Sequence, residues 1–293
     1  GGWAIMQWIT TPTLEQTASA IGWFMIIVLP ITAIICLLSV PERVTSNRPH
    51  LGFKKGASLV FTNMPLLRLL VANFMISFST YFVQALFFFF VAFTLNLQDK
   101  TGFILVFLLV GGLIGLPIWI RLSERWTKHS CMQIAVATGA VTSLLLLILP
   151  SNAVILTTVT FLLVGLNSSA NEFLPRAMMA DVCDHDHIQS GSERMGLYYS
   201  LLQASSKLAS GIGIFLVMSV LGVFAFVPEL GADNTDTALQ RLRYLIVILP
   251  MIAYVIVIGL MWRYPISREY QTEMRGIIEE RERVALRSSA IDN

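Results

Sequence analysis

Charge is what this sequence has least of. Acidic and basic residues fill 13% of its 293 positions, about half the share of roughly 25% usual in soluble domains. The charges also keep out of long blocks: residues 18–41, 69–98, 101–120, 130–171, 195–206, 208–228 and 244–262 carry none. A soluble core does not demand such exclusion, whereas a lipid interior does. Cysteine is scarce too. An odd three (Cys36, Cys131, Cys183) exclude a closed disulfide framework. The opening Gly1-Gly2-Trp3 has neither an initiator methionine nor a basic n-region. It therefore does not read as a secretory signal, and the expectation is a chain that begins inside a longer protein. No glycine-rich phosphate cradle and no nucleophile–base set is visible, so enzyme chemistry, catalytic residues and an organic cofactor are not expected. Nothing in the sequence calls for a nucleic-acid partner.

What is present is apolar: hydrophobic residues make up 55%. The longest uncharged block is split by Pro150-Ser151-Asn152, and counting blocks of about the ~20 residues a crossing helix needs gives seven spans. The fold class is an all-α polytopic membrane protein, with the bilayer as its first partner. The sequence divides into a last helix of an earlier bundle (1–41), a charged central loop (42–65), a six-helix bundle (66–262) and an amphipathic tail (263–293). Within the central loop, a short amphipathic helix is expected at 57–61. Basic residues distribute unevenly. Fifteen fall in the loops after residues 40, 120 and 174 and in the tail, against three (Lys100, Arg241, Arg243) on the other side. That bias predicts a cytoplasmic C-terminus.

Three spans carry polar stripes at helical spacing. In the second, Asn73, Ser77, Thr80, Tyr81 and Gln84 fall on one face, which predicts either hydrogen bonding between helices or a cavity wall. In the fifth, Thr160, Asn167 and Asn171 do the same, with Ser168 and Glu172 adjacent. The sixth carries Ser200, Gln203, Lys207 and Ser210. Lys207 stands about ten residues, or roughly 15 Å, past the polar end of its span, too deep for its stem to reach water simply. Burying an ammonium there costs roughly 2.5–3.5 kcal/mol, and such groups tend to mark a cavity or an ion path. The first, fourth and seventh spans are nearly plain and predict peripheral helices. In the third, Gly111-Gly112 and Gly115 predict a close helix crossing. The run Phe87-Phe-Phe-Phe90 predicts lipid-facing or gate packing.

Between the fifth and sixth spans, residues 181–196 hold four acids, two histidines and an arginine, which read as a polar loop. Cys183, Asp184, His185, Asp186 and His187 include metal-ligand types, but no second pair at finger-like spacing accompanies them, so no metal site is assigned. The helix count alone also admits a seven-helix receptor or a non-transporting scaffold.

The pattern Asp181-Val-x-Asp184-x-Asp186, then Gly191-x-x-Arg194-x-Gly196-Leu-Tyr-Tyr, then Lys207, resembles the glycoside–pentoside–hexuronide:cation symporters. These are the melibiose-permease-like branch of the major facilitator superfamily. Asn63-x-Pro65-Leu-Leu and Tyr264-Pro265-Ile266-Ser-Arg-Glu resemble two further pieces of that family. The resemblance implies a partial major facilitator fold, helices six to twelve of twelve, lacking its N-terminal half. It implies cation-coupled (Na⁺ or H⁺) transport of a sugar, glycoside or related small solute by alternating access, in a bacterial inner membrane. It places Lys207 near the substrate and cation sites, and Asp181, Asp184 and Arg194 at a cytoplasmic gate; taken with the polar stripes, the residues expected around the cavity are Lys207, Gln203, Asn73, Tyr81, Gln84, Asn167, Asn171 and Glu172. His185, His187 and Glu172 depart from the family's pattern. The Lys207-Leu-Ala-Ser-Gly211 segment is also similar to animal sodium-dependent lysophospholipid transporters, so a lysolipid-like amphiphile is the alternative substrate.

Overall fold

The computed structural model describes residues 14–39, 60–191, 194–224, 226, 231, 234–274, 276–277, 280 and 283. The opening residues 1–13, most of the central loop and the end of the tail lie outside them. The chain falls into two compact units, residues 1–50 and 51–293. Among the described residues every regular element is helical, and seven helices are long and apolar enough to cross a membrane.

The first unit contributes α1 (Leu14–Ser39). Pro30 sits inside it without breaking it, as lipid-embedded helices allow. Two residues on, the Thr32 hydroxyl donates to the carbonyls of Val28 and Leu29, at 2.9 and 3.0 Å.

The second unit holds α2 (Met64–Phe89), α3 (Thr101–Arg125), α4 (Lys128–Ile148), α5 (Val154–Ser190), α6 (Met195–Val223) and α7 (Asp236–Met261). Helix α2 starts where its sequence says it should. Asn63 accepts from the Leu66 amide at 3.1 Å, and Pro65 occupies the first turn, where no amide hydrogen is needed. At its far end α2 loosens into a π-turn, Phe90–Thr94.

Helix α5 overturns one expectation. Residues 181–190 are not loop but the last turns of a 37-residue helix. Clustered charge does not end a helix; Gly191 does. It takes a left-handed conformation (φ 65°) and its amide donates to the His187 carbonyl. At ~1.5 Å per residue α5 is about 55 Å long, so it overshoots a ~30 Å hydrocarbon core.

Helices α3 and α5 form the closest crossing. A Cβ on Gly111 would strike the Leu162 carbonyl oxygen, and one on Gly115 the Leu166 carbonyl oxygen, as the small-residue pattern predicts. The sequence did not point to their counterpart Gly165, whose Cβ would meet the Leu108 carbonyl oxygen. Helices α4 and α7, expected as plain peripheral helices, keep exposed apolar faces (Leu144 and Ile148; Ile252 and Val255) and pack their other faces against each other and inward. Gly139 and Ser143 of α4, and Pro250 and Tyr254 of α7, are buried. Both helices enter the core through small residues and one tyrosine, which leave no polar stripe in the sequence.

The core has two parts. At the tail end, Leu66, Cys131, Met178, Tyr198, Tyr264 and Met274 pack together. At the opposite end, Phe82, Phe90, Phe161, Val217 and Ile246 do so. Of the four-phenylalanine run, Phe87 and Phe90 are buried, Phe87 edge-on to Phe161 at 5.0 Å, while Phe88 is exposed.

The tail is stitched to the start of α2. The Tyr264 hydroxyl donates to the Pro65 carbonyl at 3.1 Å, which brings together two of the motif pieces singled out in the sequence. Burial pushes the Tyr264 phenol well above its ordinary value, so it stays a donor through the physiological range. A raised phenol pKa gives stability that is whole below the unfolded value of about 10. It is lost as pH climbs beyond that. Tyr264→Phe should therefore cost about 1 kcal/mol near neutrality, read as a lowered unfolding midpoint in detergent. Above that pH the wild type should lose its advantage, whereas the variant, with no phenol to ionise, should not show that loss.

Candidate functional site

The α2 stripe serves two different neighbours. Near the tail end it meets α6. Asn73 donates to the Leu202 carbonyl at 3.1 Å and to Ser206 at 2.9 Å, and Ser77 bonds Ser206 at 3.1 Å. Ser205 returns a bond to the Leu70 carbonyl at 3.1 Å. Asn73 is thus spent on helix–helix contact and does not line the cavity that the stripe meets further along. In the absence of water such bonds hold transmembrane helices together with modest energies each. Tyr81 is half-buried and also off the cavity wall.

Further along, the same stripe opens on a cavity of about 310 Å³ enclosed by α2, α3, α4, α5 and α7. It collects Thr80 and Gln84 from α2, and Asn167, Ser168 and Asn171 from α5. Three of the expected residues, Gln84, Asn167 and Asn171, therefore meet here. Asn167 is 5% exposed and accepts from the Thr138 hydroxyl at 2.9 Å. Asn171 reaches toward Thr80 at 3.5 Å, while Thr80 donates back to the Ile76 carbonyl. The amides are held by neighbours rather than left to rotate. Thr142 and Ser143 of α4 and Tyr254 of α7 complete the polar lining. The sequence reading missed all three, although Thr138 and Thr142 stand one turn apart on α4. The rest of the wall is apolar, including Val83, Phe87, Leu108 and Leu146.

Lys207 and Gln203 do not line this cavity. Both are exposed on α6, whose buried face (Leu202, Ala209, Gly213) is turned to its neighbours. No hydrogen bond or ion pair of Lys207 occurs among the described residues. Glu172 is likewise off the cavity: it is exposed and pairs with Arg176 one turn on, at 2.9 Å. Such exposed i,i+4 pairs contribute about 0.3–0.5 kcal/mol.

At the tail end the acids of α5 are shared out by helical phase. Asp181 and His185 lie one turn apart on the face toward the tail. Lys128 pairs with one Asp181 oxygen at 2.6 Å and Gln271 donates to the other at 2.9 Å. His185 meets the Tyr270 hydroxyl at 2.8 Å. Asp186 points elsewhere. It takes Arg194 at 3.4 Å and Ser190 at 3.4 Å, so the acid facing Arg194 is Asp186 rather than Asp184, which is only half-buried. Among the described residues no three His, Cys, Asp or Glu side chains converge as a metal would require. Asp181 is 5% exposed at its side chain and Lys128 18%. Asp181→Asn should strand the ammonium and destabilise the bundle by about 3 kcal/mol, measured as a fall in unfolding midpoint that Glu172→Gln does not reproduce.

A family model described as MFS/sugar transport protein matches residues 3–268. Over 256 residues the chain is 25% identical to sodium-dependent lysophosphatidylcholine symporter 1 of Mus musculus, covering 84% of this chain and 47% of that protein. It is 24% identical over 239 residues to the uncharacterized symporter YjmB of Bacillus subtilis (strain 168), covering 78% and 50%. A glucuronide carrier protein homolog of Escherichia coli (strain K12) is 23% identical over 254 residues, covering 85% and 54%. The chain spans about half the length of the curated relatives it matches.

Proposed function

We propose, because this chain belongs to the MFS/sugar transport protein family, that it forms the C-terminal side of a cation-coupled symporter moving a small solute by alternating access. The motif resemblance read from residues 181–211 and 264–269 points to the same superfamily. The observation that carries the reading is the cavity, where Gln84, Asn167 and Asn171 converge from two helices on a space large enough for a small solute. In this reading the amides and hydroxyls orient the solute, and Lys207 answers acidic groups of a preceding half across a central cleft. Na⁺ or H⁺ binding to those acids changes their pairing with Lys207, so that the two halves rock past the midplane chiefly when solute and cation are both bound. Asp181, Asp184 and Arg194, with Asp186, form the inner gate, and the tail lies on the cytoplasmic side of a bacterial inner membrane.

A sugar or glycoside is the first substrate class, supported by the amide and hydroxyl lining. A lysolipid-like amphiphile is the second, favoured by the apolar part of the wall and by the names of the animal relatives. Uptake into proteoliposomes of the full-length protein under a Na⁺ or proton gradient separates them. A labelled glycoside accumulated by wild type but not by Asn171→Leu supports the first. Accumulation of a lysophospholipid alone supports the second. No gradient-dependent uptake of either would sink the proposal.

A further inference from the structure

A second cavity lies at the end of the bundle opposite the tail, and it shares no residue with the first. It measures about 510 Å³ and is lined by Thr94 beside the end of α2, by Leu147 and Ser151 at the end of α4, and by Asp236, Gln240 and Arg243 of α7, with Tyr244 at its rim. Its depth is set by the sequence. The uncharged stretch of α7 begins at Tyr244, so the two turns from Asp236 to Arg243, about 10 Å at ~1.5 Å per residue, project beyond the apolar span. That is headgroup depth, and Tyr244 is the kind of residue that marks it.

Its chemistry is bipolar. Arg243 is half-buried and commits one N–H to the Leu147 carbonyl at 3.3 Å, leaving the rest of its fork for an anion. Asp236 is exposed a helix face above it, and helical side chains lean toward the N-terminus, which carries the guanidinium toward the level of Gln240. The Thr94 hydroxyl, on a residue 8% exposed, is buried at this cavity without a hydrogen-bond partner. Both helices that line the cavity, α4 and α7, carry exposed apolar side chains along their spans, which offer acyl chains a lane. Tyr244, Ile248, Ile252 and Val255 are exposed at i, i+4, i+8 and i+11 on α7, and Ile148, Leu144 and Val141 are exposed on α4.

We propose that this cavity holds the headgroup of a zwitterionic, ammonium-bearing phospholipid from the leaflet opposite the tail. Arg243 takes the phosphate, Asp236 takes the ammonium, and the acyl chains run down the lane between α4 and α7. A free polar solute would make no use of the lane, and an anionic lipid would make no use of Asp236. The inference does not rest on the transport reading.

Native mass spectrometry of the full-length protein tests it, after incubation with phosphatidylethanolamine, phosphatidylglycerol or free phosphoethanolamine. Phosphatidylethanolamine should be retained in preference to phosphatidylglycerol. Arg243→Ala should weaken retention of both lipids about tenfold, because it removes the charge-assisted hydrogen bonds to their phosphate. Asp236→Asn should erase only the preference. Gln240→Trp, which fills the cavity and keeps both charges, should expel the lipid and carries the test alone should Arg243→Ala not fold. Arg241→Ala, outside the cavity, should change nothing. Wild-type retention by Gln240→Trp would overturn the proposal, as would free phosphoethanolamine competing as well as the lipid does.

Discussion

Lys207→Ala in the full-length protein should abolish gradient-driven uptake while leaving insertion and yield unchanged. The second half of that expectation comes from the bundle itself. Lys207 is exposed on α6 and makes no bond within the described fold, so nothing in this unit needs it for stability. An ammonium so far along an apolar span is nevertheless costly, by roughly 2.5–3.5 kcal/mol, unless negative charge faces it. Truncating one partner of a desolvated charge pair costs about 2–5 kcal/mol, which is roughly 30- to 5000-fold in an equilibrium constant. Coupled uptake should fall by a factor in that range. Lys207→Arg should restore part of it, because the charge survives but its shape does not. Uptake in the alanine variant that still follows the cation gradient at wild-type rate would remove Lys207 from the mechanism.

Gly165→Val should be the most damaging change to the fold. Its Cβ would land on the Leu108 carbonyl oxygen. Overpacking a core typically costs 1–3 kcal/mol when side chains can shift. Here the obstacle is backbone, so α3 and α5 must part along their length, and the loss should reach about 3 kcal/mol or more. Gly115→Val meets the Leu166 carbonyl in the same way and should behave alike. Gly259→Val is the control, since nothing lies within 4 Å of its Cβ position. Thermal unfolding followed by size-exclusion profile should rank the two crossing variants far below wild type and Gly259→Val beside it. Equal midpoints for Gly165→Val and Gly259→Val would mean the crossing is looser than described.

The seven spans and the small-residue crossing at Gly111 and Gly115 were legible because lipid imposes both length and close approach on the sequence. The stripe on α2 was legible as a face but not as a site. Asn73 and Gln84 are eleven residues apart, so at ~100° per residue they point within about 20° of each other. What separates their roles is what stands opposite, α6 beside one and open space beside the other, and a single helix carries no record of that. The cavity residues Thr142, Ser143 and Tyr254 escaped because small hydroxyls among α4's apolar residues, and one tyrosine on α7, do not stand out as a polar stripe. Residues 181–190 read as loop because their charge density looks solvated. A helix long enough to leave the bilayer is solvated too, and the stop signal was Gly191 alone. Asp186 was overlooked as the partner of Arg194 for the same reason: in a loop its phase relative to Asp184 is undefined, and on a helix it is fixed.

The bond from Tyr264 to the Pro65 carbonyl spans 199 residues of chain, and that separation orders events during synthesis. When Pro65 enters the bilayer, the hydroxyl that will pin it has yet to be translated, along with most of the bundle. The first helix of this unit therefore stands without this one latch until the last helix has left the ribosome, held meanwhile by its bonds to α6. A chain stopped just after Met261 would keep its crossings and those bonds and lack only the fastening at its start.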